Sequence, residues 1–183
     1  MKTDFLVVGS GIAGLSFALK AAKHGRITVL TKKTAPESNT NYAQGGIAAA
    51  IGEDDSPALH FQDTVKVGCG LCDEKAVDIL TKNAPLVIEE LQALGVDFDK
   101  DSQGRLLLSR EAGHSRNRIV HIGDSTGREI EKVLLRQVRK VKRRVSLREG
   151  CIAVDLIMRG ERCWGVTSSA RTQRPSCSRL STS

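Results

Sequence analysis

The hydrophobic pattern opens with a short apolar run, DFLVV at residues 4–8, whose β-branched residues predict a buried strand. The glycine-rich GSGIAG, Gly9 to Gly14, interrupts it. LSFALKAAKH at residues 15–24 then reads as a helix stopped by Gly25, and ITVLT at 27–31 as a second strand. Further along, Ile130, Val133, Leu134 and Val138 recur at i, i+3, i+4 and i+8, one face of a helix. Asp124, Ser125 or Thr126 could supply its N-cap oxygen. Residues 145–149, 151–158 and 162–166 predict three short strands separated by Gly150 and by Gly160-Glu161. The sum is an α/β, Rossmann-like domain with a parallel sheet and a β-meander over residues 1–166. Of the seventeen residues 167–183, nine are Ser or Thr and only Leu180 is strongly apolar, so this stretch is expected to be an irregular, disordered tail.

Composition narrows the picture. A length of 183 residues suits one domain or slightly more, and 40% apolar residues suffice for a core. No run of 18 apolar residues exists, so no membrane partner is expected. Lys2 alone precedes the first apolar stretch and no small-residue cleavage site follows it, so a cytoplasmic location is the expectation. Five scattered cysteines predict reduced thiols. The net charge of +7 arises from the run Arg136–Arg148 and from the C-terminal stretch. With one Trp, one Tyr and four Phe there is little to stack on bases, so a solvated basic face is expected rather than a nucleic-acid partner.

The glycines have specific uses. Gly9 allows the tight turn out of the strand, Gly11 lets a pyrophosphate approach the backbone, and Gly14 lets helix and strand meet closely. With Ser10, Ile12 and Ala13 they form a turn that presents helix N–H groups to phosphates; the blander reading is a glycine turn that merely packs. An acidic residue at the end of the second strand, common in such folds, is replaced by Leu30-Thr31-Lys32-Lys33. This weakens a plain NAD reading and leaves Lys32 as a candidate near the adenosine end. In SNTNYAQGGIAAA, residues 38–50, Gly45 and Gly46 offer bare backbone on which a planar ring could lie, with Asn39, Thr40 and Gln44 at its edge. Taken alone, this is a loop that something approaches closely. Cys69 and Cys72 have CxxC spacing, but no second pair of ligands follows, so no metal site is expected. Asp54 and Asp55 read as solvated loop acids.

The motifs VVGSGIAGLSFAL, VLTKK, NTNYAQGGIAAA, DSPALHFQDTVKVGCGLCDEKAV, LGVDFD and LSREAGHSRNRIVHIGDSTGREIEKVL, in this order, resemble the succinate dehydrogenase and fumarate reductase flavoprotein family over residues 1 to about 166. The resemblance implies FAD as cofactor, held by Gly9–Gly14, Lys32 and Asn39–Gly46, including Asn41, Tyr42 and Ala43. Members that bind flavin covalently carry Ser-His-Thr where this chain has Ser38-Asn39-Thr40. An amide has no nucleophilic ring nitrogen, so the flavin is expected to be noncovalent, as in the aspartate-oxidising branch. REAGHS, Arg110–Ser115, is similar to the REGGHS of that branch, with Ala112 for the first glycine. By resemblance Glu111 meets the substrate amine, with His114 a neighbouring polar candidate.

The implied reaction is oxidation of L-aspartate to iminoaspartate, with oxygen or fumarate as electron acceptor. The product feeds NAD biosynthesis through quinolinate, making quinolinate synthase a possible partner. A fumarate reductase-like flavoprotein and a non-catalytic flavin-binding remnant are the alternatives. The family's returning strand with its Ala-Thr-Gly-Gly turn, its catalytic arginine and its capping domain have no counterpart here. The domain is therefore expected to be incomplete at its C-terminus and inactive as an isolated chain.

Overall fold

The computed structural model describes residues 2–170 and the backbone of 176–180. In chain order the elements are β1 (Lys2–Thr3), β2 (Phe5–Val8), α1 (Ile12–Ala21), β3 (Ile27–Leu30), β4 (Ile47–Ala48), α2 (Pro57–Val67), α3 (Glu74–Leu94), β5 (Leu108–Ser109), β6 (Ile119–Val120), α4 (Thr126–Lys140), β7 (Val145–Arg148), β8 (Cys151–Arg159), β9 (Arg162–Ala170) and β10 (Ser176–Leu180). They fall into two compact units: Met1–Tyr42 with Ile130–Ser183, and Ala43–Glu129.

The first unit is built on a parallel sheet of order β2-β3-β7. Phe5 pairs with Ile27 and Val8 with Leu30, while Ile27 pairs with Val145 and Leu30 with Arg148. All four residues of the central β3 are buried, which is why ITVL is apolar almost throughout rather than alternating. α1 begins three residues before the apolar pattern predicts, with Ile12-Ala13-Gly14 forming its first turn. The expected face of α4, Ile130, Val133, Leu134 and Val138, is buried, together with Leu135.

A second sheet in this unit has the order β1-β10-β9-β8. The meander expected from the sequence corresponds to β7, β8 and β9, but β7 joins the parallel sheet. The domain boundary expected at residue 166 falls inside β9, which continues to Ala170 and pairs Ala170 with Cys151. Residues 176–180 form β10, antiparallel to β9. Counting Ser and Thr measures only side-chain apolarity; a strand between two partners is held by its main chain, and Ser168 is buried within it. The rest of the tail, 171–175 and 181–183, lies outside the described residues.

The second unit pairs β4, β6 and β5 in an antiparallel sheet, with Ile47 and Leu108 both opposite Val120. Helices α2 and α3 pack side by side. Ser56 caps α2 by accepting from the Leu59 N–H, with Pro57 at the first helical position. Asp73 caps α3 by accepting from Lys75 and Ala76 N–H, and Gly95 closes it in the left-handed conformation at φ 99°. Val77, Thr81, Ala84, Ile88 and Leu91 form the buried stripe of α3.

Candidate functional site

In the first unit the glycine turn is strained in the way its residues permit. Gly9 sits at φ 106° and donates its N–H to Leu30 O at 2.8 Å, tying the turn to the end of β3. A Cβ at Gly14 would lie 2.2 Å from Gly9 O, so no other residue fits between helix and turn. At Gly11 the close neighbour is part of the chain itself: a Cβ there would stand 3.1 Å from Thr40 Oγ1. That oxygen accepts the Ile12 N–H at 3.0 Å, so the 38–40 segment meets the N-terminus of α1. Ser10 is buried and its hydroxyl is used internally, donating to Ala35 O at 2.9 Å and sharing a hydrogen bond with Thr31 Oγ1 at 3.0 Å.

These residues border a cleft of about 410 Å³. Gly9, Ser10, Gly11, Lys32, Asn39 and Thr40 line it; Ile12, Ala13 and Gly14 stand behind it in the first turn of α1. Tyr42 is exposed and donates its hydroxyl to Glu37 Oε1 at 2.6 Å. The Tyr42 hydroxyl and Lys33 hold the Glu37 carboxyl below its ordinary range, and Glu37 in turn raises Tyr42. Asn41 donates its backbone N–H to Ser38 Oγ at 3.3 Å.

One buried acid of this unit escapes the sequence reading. Glu131 on α4 is 1% exposed; its Oε2 accepts from Ser38 Oγ at 2.5 Å, and its Oε1 has no hydrogen-bond partner. Burial pushes its carboxyl above the ordinary range, against the Ser38 hydroxyl and the Asn41 N–H, which favour the anion.

In the second unit Ala43, Gln44 and Gly45 are exposed. A Cβ at Gly46 would fall 2.4 Å from Val120 O, so the chain passes β6 only as glycine. A Cβ at Gly45 would lie 3.7 Å from Glu111 Oε1, so the structure brings the small-residue stretch and Glu111 together. Glu111 is exposed on the loop that precedes β6, and this loop turns at Gly113 with φ 87°.

That loop is anchored from beneath. Ser115 donates both its N–H, at 2.8 Å, and its hydroxyl, at 2.7 Å, to Asp63 Oδ2. Arg118, fully buried, forms a bidentate pair with Asp55 at 2.8 and 2.9 Å and reaches Asp63 at 2.8 Å. Asp55, expected to be solvated, is therefore a buried counter-ion with 0% side-chain exposure, whereas Asp54 is 75% exposed beside Arg116. Sequence adjacency hid the difference, because only the fold brings Arg118 to Asp55. Burial alone would raise Asp63, but the Ser115 donors and Arg118 outweigh it and hold its carboxyl below the ordinary range.

His114 Nδ1 lies 3.4 Å from Arg118 Nη1, and its ring is 5.8 Å from that of buried His60. Burial, Arg118 and His114 depress His60, against Asp55 and Asp63. A larger cleft of about 660 Å³ in this unit is lined by Glu53, Asp54, Glu89 and Arg105 among others and includes neither Gly45 nor Glu111. Cys69 and Cys72 are free thiols, and among the described residues no group of three or more ligating side chains could hold a metal.

A parallel β-α-β unit whose glycine turn opens a helix beside a cleft defines a nucleotide-cofactor domain. The obligatory glycines at 9 and 14, together with an α1 N-terminus beside the cleft, fit the diphosphate of such a cofactor. The chain belongs to the FAD binding domain family, which matches residues 4–180, and its cofactor is FAD. It is 53% identical over 137 residues to L-aspartate oxidase 2-a, chloroplastic, of Nicotiana tabacum, covering 75% of this chain and 21% of that protein. It is 47% identical over 176 residues to the chloroplastic L-aspartate oxidase of Oryza sativa subsp. japonica, covering 93% and 27%. Among solved structures, Mycobacterium smegmatis Sdh1 in complex with UQ1 superposes with a TM-score of 0.92 at 27% identity, covering 98% of this chain and 33% of that one. The chain thus spans roughly a fifth to a quarter of the length of these two curated relatives. Among the described residues no helix is long and apolar enough to cross a membrane.

Proposed function

We propose that this chain is the flavin-holding part of an enzyme that oxidises L-aspartate to iminoaspartate. The observation that carries the reading is Glu111 beside Gly45, a carboxylate next to bare backbone in one unit. A carboxylate there suits an ammonium group, which aspartate has and succinate lacks, and identities of 47–53% to proteins named L-aspartate oxidase support the choice. FAD, when bound, accepts the hydride from the substrate Cα.

The chain's own residues divide the remaining work. Gly9, Ser10, Gly11, Ile12, Ala13 and Gly14 shape the turn, and Thr40 and Lys32 line its cleft toward the cofactor's phosphate and adenosine end. Gly45 and Gly46 offer backbone to the ring, with Ala43 and Gln44 beside them. Asn39, exposed and lining the cleft, has no ring nitrogen to alkylate, so the flavin is held noncovalently. Oxygen or fumarate would serve as the electron acceptor, and the product would pass toward quinolinate synthase and NAD in the cytoplasm, or in a plastid as the plant relatives' names indicate.

The test is anaerobic bleaching, by L-aspartate against succinate, of the FAD-loaded complete enzyme of which this chain is the flavin-holding part. Aspartate is expected to bleach it, and Glu111→Gln to weaken aspartate by about one to two decades, the value of a charged hydrogen bond of about 1.5–3 kcal/mol. Equal bleaching by succinate in wild type and variant would refute the assignment and favour a dicarboxylate-oxidising flavoprotein.

A further inference from the structure

A carboxyl group inside an apolar helix face is costly, and Glu131 is such a group, 1% exposed with one oxygen unpartnered. Its neighbours on α4, Ile130 and Val133 to Leu135, are all buried apolar residues. What distinguishes position 131 is the segment above it. Ser38 Oγ donates to Glu131 Oε2 at 2.5 Å and accepts the Asn41 N–H at 3.3 Å. Both ends of the four-residue segment 38–41 are therefore tied to one buried acid, Ser38 directly and Asn41 through the Ser38 hydroxyl.

Between those ends stands Thr40. Its oxygen accepts the Ile12 N–H at 3.0 Å, in the first turn of α1, and a Cβ at Gly11 would crowd it at 3.1 Å. Thr40 thus sits on an N-terminus whose unpaired N–H groups carry partial positive charge. Having accepted from Ile12, the hydroxyl keeps its own proton to donate, and Thr40 lines the cleft. An anionic phosphate oxygen is the matching acceptor.

We propose that Glu131 is a positioning residue for the diphosphate end of the FAD site: it fixes the Ser38–Asn41 segment and thereby holds the Thr40 hydroxyl on the N-terminus of α1 as a phosphate donor. The proposal rests on the reading that this cleft takes the cofactor's phosphates. Glu131 touches no cofactor atom; it acts through Ser38 and Thr40. Position 131 is specified by hydrogen-bond acceptance rather than by charge, so an amide of the same shape serves in its place.

The experiment titrates the 183-residue chain with FAD and separately with ADP, which carries the diphosphate without the ring. Glu131→Ala is expected to weaken both ligands by about tenfold, the scale of one lost hydrogen bond. Glu131→Gln should rescue binding to within about threefold on the same scale. Ser38→Ala should weaken binding like Glu131→Ala, and the double variant should be no worse than either, since they share one interaction.

Amide exchange of the ligand-free chain supplies an independent reading. The Ile12 and Asn41 amides should exchange faster in Glu131→Ala and Ser38→Ala, with Val29 in β3 unchanged. Unchanged exchange at Ile12 and Asn41, or a Gln variant as impaired as the Ala variant, overturns the positioning role. Should the wild-type chain bind neither ligand, the phosphate reading of the cleft fails, while exchange at Ile12 and Asn41 still decides what Glu131 holds.

Discussion

Replacing Arg118 with Met is expected to destabilise the 43–129 unit by about 3–5 kcal/mol, the cost of breaking a buried ion pair by removing one partner. Arg118 is fully buried and makes three short bonds: Nε and Nη2 to Asp55 at 2.8 and 2.9 Å, and Nη1 to Asp63 at 2.8 Å. Methionine fills much of the guanidinium's volume, so the loss is electrostatic rather than a cavity. It leaves Asp55, with 0% side-chain exposure, as an uncompensated buried carboxylate. Asp63 fares better because Ser115 still gives it two donors. Adding Asp55→Asn to Arg118→Met should therefore recover part of the loss. Two compact units make a single unfolding midpoint a poor readout, so the measurement is native-state hydrogen exchange of amides in α2, α3 and β6. Lys82→Met is the control, because its ion pair with Asp78 is exposed and worth at most about 0.5 kcal/mol. A loss below about 1 kcal/mol for Arg118→Met would refute the reasoning, since that is what an exposed pair gives. The Ser115 amide should lose protection along with the core amides, because its acceptor Asp63 is itself oriented by Arg118.

Three further outcomes follow from single contacts. His60 is depressed by burial and by Arg118 and His114 below its ordinary 6.5, so its folded form resists protonation. Stability is then fully present above about pH 6.5 and is lost as pH falls, because the unfolded chain takes up the proton first; unfolding free energy of the unit compared at about pH 7.5 and about pH 5 should fall more in wild type than in His60→Leu, and equal slopes would discount His60. Gly14→Ala places a Cβ 2.2 Å from Gly9 O, so α1 must shift; a cost of about 1–3 kcal/mol with weakened FAD binding is expected, and a variant of wild-type stability and affinity would contradict the tight approach. Acid precipitation of the FAD-loaded protein should release all flavin into the supernatant, and colour retained on the denatured chain would disprove noncovalent binding.

The elements legible in the sequence were those with a strong period or a glycine signature. DFLVV, ITVLT and the 130/133/134/138 face gave β2, β3 and the buried side of α4, because burial on both faces of a strand or on one stripe of a helix leaves a one-dimensional trace. Helices α2 and α3 had local signals as well, Ser56-Pro57 and Asp73 at their starts and Gly95 at one end, which only a capping argument applied to every polar–apolar junction would have collected. Asp55 could not have been read this way, because its partner Arg118 lies 63 positions on. The same holds for Glu131 and Ser38, 93 positions apart, and Glu131 was further disguised as one of the polar residues any amphipathic helix carries. The end of the meander was misjudged for another reason: strand β9 draws its order from pairing with β8, which composition does not measure.

The two units solve one physical problem in the same way. Each carries a segment that is at least partly exposed and short of apolar side chains, 38–42 in one and 110–115 in the other, so neither can fix itself by packing. Each is tied to a carboxyl that accepts from a serine hydroxyl of the segment: buried Glu131 from Ser38, and partly exposed Asp63 from Ser115, which also donates its main-chain N–H. A carboxyl is the efficient acceptor here, because it offers several lone pairs at one point and its charged form strengthens each bond. The electrostatic supports differ. Asp63 has Arg118 and stays below the ordinary range, whereas burial lifts Glu131 above it. Charge neutralisation at Asp63 should therefore cost stability, while Glu131→Gln should be tolerated or stabilising at neutral pH. That asymmetry follows from where the one buried arginine sits among the described residues, not from any difference in the loops they hold.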